Sequence, residues 1–222
     1  MANKVFISFR YCEKDVNCSI LDDHKKCGHQ YKEKLEEKFE ELEYTINKSE
    51  SEDRSGQTEE TIKKYLYEKL ADTSLTIMIL TPEAVEYNKD FNGKIDDWLY
   101  DELRYSLEDR GENRTNAVIA LYTEEAKEYL IKSNNSWCST CQKKHGSTTI
   151  LSFENLIRKN MFNVKSQYKH CSCDNLYDTL EDHYISLVSY DDFYVNPKKY
   201  IDNALEKRDR LSEFEDLVKR MN

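Results

Sequence analysis

Three stretches of this chain are apolar at nearly every position: Val5-Phe6-Ile7-Ser8-Phe9, Leu75-Thr76-Ile77-Met78-Ile79-Leu80 and Asn116-Ala117-Val118-Ile119-Ala120-Leu121-Tyr122. A strand with one wet face alternates apolar and polar residues, whereas a strand covered on both faces does not. The second condition is met by central strands of parallel sheets. Amphipathic patterns lie between these runs. Tyr31, Leu35, Phe39 and Leu42 mark a helix over roughly Gly28 to Glu43. Ile62, Leu66 and Leu70 mark a second, which Thr58 can cap, and Leu99, Leu103 and Leu107 draw the stripe of a third. Tyr44-Thr45-Ile46 and Ile185 to Tyr190 complete five strands. Strands and helices in alternation predict an α/β chain with helices on both faces of a central parallel sheet. Right-handed crossovers then favour a flavodoxin-like strand order, 2-1-3-4-5.

About sixty residues separate Tyr122 from the last strand, far beyond the 2–6 residues usual for such connections. The expected organisation is therefore an α/β domain formed by residues 1–122 and 185–222, with an insertion at 123–184 before the last strand. Pro197 is expected to open a final helix, with Tyr200-Ile201, Leu205, Leu211 through Phe214, Leu217 and Val218 on its buried side.

The charge balance narrows the partners. A net charge of −10 argues against nucleic-acid binding by the surface as a whole, while 16 tyrosines and 8 phenylalanines exclude a disordered acidic tail. No apolar run approaches the ~20 residues of a membrane span, and the N-terminus lacks the apolar segment of a signal peptide. The expectation is a cytoplasmic protein without membrane partners. No glycine-rich phosphate loop, His-Glu metal helix or Gly-x-Ser-x-Gly elbow occurs.

The third helix carries the strongest candidate for chemistry. Trp98 and Glu102 lie four residues apart, one turn from each other beside the leucine stripe. A carboxylate beside an indole, on a helix docked by its leucines, can be partly desolvated and act as an electrostatic or acid–base group. A surface helix with scattered acids is the alternative. At the exit of the first strand, Ser8-Phe9-Arg10 stands where strands of open α/β sheets meet ligands. Arg10 suits a diphosphate through its planar fork, or an ordinary surface ion pair.

Taken together, Val5-Phe6-Ile7-Ser8-Phe9-Arg10, the strand Leu75 to Leu80 and Trp98-x-x-x-Glu102-Leu103 resemble TIR domains, most closely the TIR-like proteins of bacterial Thoeris antiphage systems. The resemblance spans roughly residues 4 to 122 and, loosely, the last strand and helix. It does not extend to Thr123 through Tyr184. It implies a TIR fold in which Glu102 is the catalytic glutamate that breaks the nicotinamide–ribose bond of NAD. It also implies nucleotide contacts from Ser8, Phe9, Arg10 and Trp98, and from the loop near Glu50 to Gln57. The implied product is a cyclic or conjugated ADP-ribose signal that reaches a separate effector protein. Activity would depend on self-association, with the acidic loop Ser49 to Gln57 contributing to a site shared between chains. Many TIR domains are adaptors, so a non-catalytic association module or a nucleotide sensor is the alternative function.

Nicotinamide leaves as a neutral base, so the reaction needs no strong general acid. A fixed carboxylate can stabilise the positive charge that develops on the ribose.

The seven cysteines form a second pattern. Cys138-x-x-Cys141 and Cys171-x-Cys173 can supply four thiolates to a structural zinc, with His145 and His170 as possible substitutes. Unliganded thiols or a reversible disulfide are the alternatives.

Overall fold

The computed structural model describes residues 4–10, 28–42, 45–46, 59–109, 114–139, 142–170, 177–178 and 180–221. Its first half runs β1 (Lys4–Ser8), α1 (Gly28–Glu41), β2 (Thr45–Ile46), α2 (Glu59–Ala71), β3 (Leu75–Leu80), α3 (Trp98–Leu107) and β4 (Ala117–Tyr122). There follow α4 (Lys127–Leu130), β5 (Ile131–Cys138), β6 (Lys143–Ile150), α5 (Leu156–Lys159), β7 (Ser186–Ser189), α6 (Tyr190–Val195) and α7 (Pro197–Asp209).

Five strands form one sheet in the order β2-β1-β3-β4-β7, every neighbouring pair parallel. The chain is α/β with a central parallel sheet, compatible with a flavodoxin-like arrangement. The unbroken apolar runs are explained by covering on both faces. Ile77, Ile79, Ile119 and Leu121 face α1 and α7, where Leu35, Phe39, Ile201 and Ala204 meet them. Met78, Leu80, Val118 and Ala120 face the opposite layer, where Leu99, Leu103 and Leu107 of α3 dock. Those three leucines are at most 2% exposed, so the period-four stripe is a packed seam.

The described residues of segment 123–184 form two parts. β5 and β6 form a separate antiparallel hairpin, in register from Ile131↔Ile150 to Cys138↔Lys143. Farther on, Leu156, Ile157, Met161 and Val164 join the core layer of the α3 leucines.

Two boundaries differ from expectation. Tyr190, expected to end a strand, opens α6, whose first turn carries Asp191 and Asp192 against the positive helix end. The final helix stops at Asp209, where the Arg210 N–H bonds the carbonyls of Glu206 (3.0 Å) and Lys207 (3.1 Å). Phe214 is still buried, 5.5 Å from the Tyr184 ring centroid. The tail beyond it runs without helix, and Asn160 replaces two lost helix bonds through its side-chain contacts to the Val218 N–H (2.9 Å) and C=O (2.8 Å). Apolar spacing alone extends a helix only while the backbone has no better partners. Among the described residues, no helix is long and apolar enough to cross a membrane.

Candidate functional site

The site begins with the alternation of β1. Val5, Ile7 and Phe9 point into the α1 layer, while Phe6 packs with Leu66 and Leu70 of α2 on the other face. Ser8 lies on that other face, fully buried, and its hydroxyl donates a hydrogen bond to Oε2 of Glu102. Glu102 is 3% exposed. Two residues 94 apart in sequence thus meet beneath α3.

Phe9 parts from Ser8 for the same reason. Its ring is buried against α1, with Lys32 Nζ 5.7 Å from the ring centroid and the His29 ring 6.1 Å away. Gly28 makes this approach possible, since a Cβ there would lie 2.6 Å from the Arg10 carbonyl oxygen.

Arg10 returns to the Glu102 side. Its guanidinium pairs with Asp97 and donates to the Glu83 carbonyl and, at 3.4 Å, to Asn88 Oδ1. Asp97 is the N-cap of α3: its carboxylate accepts from the Leu99 N–H at 2.9 Å and the Asn88 N–H at 2.6 Å. The pair is nearly dry, with side chains 12% and 2% exposed. Arg10 therefore ties the exit of β1 to the turn after β3 and to the first turn of α3, the turn that precedes Glu102.

A further polar seam lies deeper. Ser106 Oγ is 2.8 Å from Thr76 Oγ1 and donates to the Glu102 carbonyl at 2.8 Å. Asn116 Nδ2 donates to Thr76 Oγ1 at 3.3 Å. Trp98, the first residue of α3, is 42% exposed.

Sequence reasoning brought forward Ser8, Arg10 and Glu102, which the structure gathers under one helix, and Phe9, which it sends to the opposite layer. It missed Asp97, Asn88 and Glu83. The signal for Asp97 was available, because an aspartate directly before the first apolar turn of a helix reads as an N-cap.

Of the cysteine set, Cys138 is buried at the end of β5, whereas Cys141, Cys171 and Cys173 lie outside the described residues. His170 pairs with Asp182, its Nδ1 3.4 Å from the carboxylate. Among the described residues no group of three or more His, Cys, Asp or Glu is arranged to hold a metal ion. The loop 49–57 also lies outside the described residues.

Chemically, the arrangement is a carboxylate withdrawn from water at the carboxyl ends of parallel strands, oriented by a hydroxyl and seated on a helix whose first turn is clamped. Such a group can stabilise positive charge forming near it, because preorganised charge acts more strongly where water is excluded. Against models of known protein families, the sequence matches none.

Proposed function

We propose that this chain is an NAD-consuming TIR-like enzyme that cleaves the nicotinamide–ribose bond and forms a cyclic or conjugated ADP-ribose signal in antiphage defence. What supports this reading is the buried Glu102 carboxylate held by Ser8 at the carboxyl edge of the parallel sheet. Open α/β sheets bind ligands at that edge. In this proposal Glu102 stabilises the oxocarbenium-like ribose and receives its hydroxyls, and Ser8 fixes the carboxylate's rotamer. Arg10 acts by holding α3 in place through Asp97, and Trp98 borders the nicotinamide end. The protein works in the cytoplasm, assembles through its TIR domain and acts on an effector through its nucleotide product. A structural zinc on Cys138, Cys141, Cys171 and Cys173 belongs to the same proposal.

A second reading has an observation of its own. A carboxylate that is 3% exposed and bonded to a strand residue also suits a purely structural tie in a non-catalytic association module.

One comparison separates the two. The full chain, Glu102→Gln and Asp101→Asn are incubated with NAD, and the products are resolved by chromatography. Glu102→Gln removes the charge and keeps the shape. It is expected to slow turnover by about a hundredfold, corresponding to roughly 3 kcal/mol of lost transition-state stabilisation. Asp101 instead pairs with Arg104 at 3.5 Å, and its variant is expected to keep turnover near the parent rate. Equal rates for Glu102→Gln and the parent, at matched melting temperature, would remove the catalytic assignment and leave the association module.

A further inference from the structure

A cavity of about 230 Å3 lies beside β7, and none of its lining residues is Ser8, Arg10, Trp98 or Glu102. β7 pairs with β4 on one side and has no strand partner on the other among the described residues. The cavity sits where the two core layers meet around this edge. Ile131 and Ile150, opposite each other at the base of the hairpin, line it together with Met161 and Leu187. Ile131, Ile150 and Leu187 are only partly buried although they pack against the core, so apolar carbon remains open to the cavity.

Polar surface makes up somewhat more of the lining than apolar surface, and the charge among the described lining residues is of one sign. Among the described residues, Asp192 of α6 is the one carboxylate in the lining and no Lys or Arg lines it; the Asp192 side chain is exposed. Tyr122 and Tyr200 contribute aromatic rings. Burial pushes the Tyr122 phenol up to about 12 and the Tyr200 phenol upward, and the Asp192 charge adds to both shifts. Both rings are therefore neutral at pH 7, and the Asp192 carboxylate is within electrostatic reach of each. Glu124 adds a second negative charge at Tyr122. That the Tyr200 ring accepts a cation is visible in the fold itself, where Lys199 Nζ stands 5.0 Å from its centroid.

We propose that this cavity binds a small primary amine with an apolar tail, an alkyl- or aralkylammonium ion, its carbon chain against Ile131, Ile150, Met161 and Leu187 and its ammonium group at Asp192 beside the rings of Tyr122 and Tyr200. An anion would meet Asp192 with no Lys or Arg among the described lining residues, Lys199 standing at the Tyr200 ring outside that lining. A nucleotide would be too large and would find no cationic side chain for its phosphates among the described lining residues. The volume lies below the ~300 Å3 at which sites for drug-sized molecules begin, which restricts the ligand to a small one. This site is independent of the proposed NAD chemistry.

Hexylammonium, hexanol and hexanoate share a tail and differ in charge, so titrating each into the full chain by calorimetry at pH 7 reads the tail and the head separately. Hexylammonium is expected to bind saturably at one site and hexanol about fivefold more weakly, the gap expected for one partly exposed ion pair. Hexanoate is expected to bind more weakly than hexanol. Asp192→Asn, at an exposed position, is expected to bring hexylammonium and hexanol within about twofold of each other. Leu187→Trp, which fills the cavity, is expected to abolish binding of both while the circular dichroism spectrum is unchanged. Should that variant misfold, the Asp192→Asn ratio decides alone. Absence of saturable hexylammonium binding, equal affinity for all three probes, or an unchanged ratio in Asp192→Asn would overturn the proposal.

Discussion

Replacing Asp97 by alanine removes a single carboxylate that serves three partners. The helix cap to the Leu99 N–H is lost, a change that costs about 1 kcal/mol. The Asn88 N–H, bonded at 2.6 Å, loses its acceptor, for about another 1 kcal/mol. The largest loss is at Arg10, because stranding one member of a buried ion pair costs roughly 3–5 kcal/mol. The lower end applies here, since Arg10 keeps the Glu83 carbonyl and its side chain is 12% exposed. The three losses share one group and do not add fully, so the expected destabilisation is about 4 kcal/mol.

Urea unfolding at pH 7, followed by circular dichroism, measures this, provided the denaturant slope matches the parent. Asp97→Asn retains an oxygen for the cap and is expected to cost less than alanine. Combining it with Arg10→Met is expected to recover about 1–2 kcal/mol relative to the sum of the single changes, because no unpaired charge is left. A cost below about 1 kcal/mol for Asp97→Ala, in the range of ordinary surface substitutions, would refute the clamp. So would strict additivity of Asp97→Asn with Arg10→Met.

His183 is fully buried, and neither ring nitrogen has a hydrogen-bond partner among the described residues. Burial, with the charges of Lys207 and Arg158 acting in the same direction and Asp178 opposing them, holds its pKa down at about 3 against an ordinary value of 6.5. The folded state thus binds fewer protons than the unfolded state between those values. Its contribution is fully present above pH 6.5 and is lost as pH falls toward 3, with a slope of up to about 1.4 kcal/mol per pH unit. His183→Leu is expected to flatten urea-derived stability between pH 6.5 and 4.5, and a profile identical to the parent's would contradict this. For the cysteines, elemental analysis of protein purified without added metal is expected to give about one zinc per chain. Metal far below that, with a fold indifferent to chelator, would exclude the zinc clip.

The leucine stripe of α3 and the doubly apolar strands were legible because they are local. Side-chain period and secondary structure are coupled within a few residues, so Leu99, Leu103 and Leu107 announce a buried helix face before any partner is known. The same local reading ran too far at the C-terminus, where helical spacing continues past Asp209 but Asn160, 58 residues from Val218, takes over its backbone.

In the candidate site, sequence alone marked Glu102, Ser8 and Arg10 as chemically able, and it could not assign their partners. Arg10 and Asp97 are 87 positions apart, and a guanidinium at a strand exit carries no mark of whether it will meet a phosphate or a carboxylate. Lys207 makes the limit plainest. A lysine in a helix of mostly polar residues reads as solvated, yet it is fully buried, with Nζ donating to the carbonyls of Leu180 (2.7 Å) and His183 (2.6 Å) and to Ser186 Oγ (2.6 Å). Those acceptors come from a segment more than twenty residues away, and they satisfy all three ammonium protons. Sequence determines which faces must leave water, because hydrophobic free energy follows the residue. Which polar groups go with them is decided by tertiary structure, because a buried charge is tolerated only where distant backbone and side chains converge to pair it.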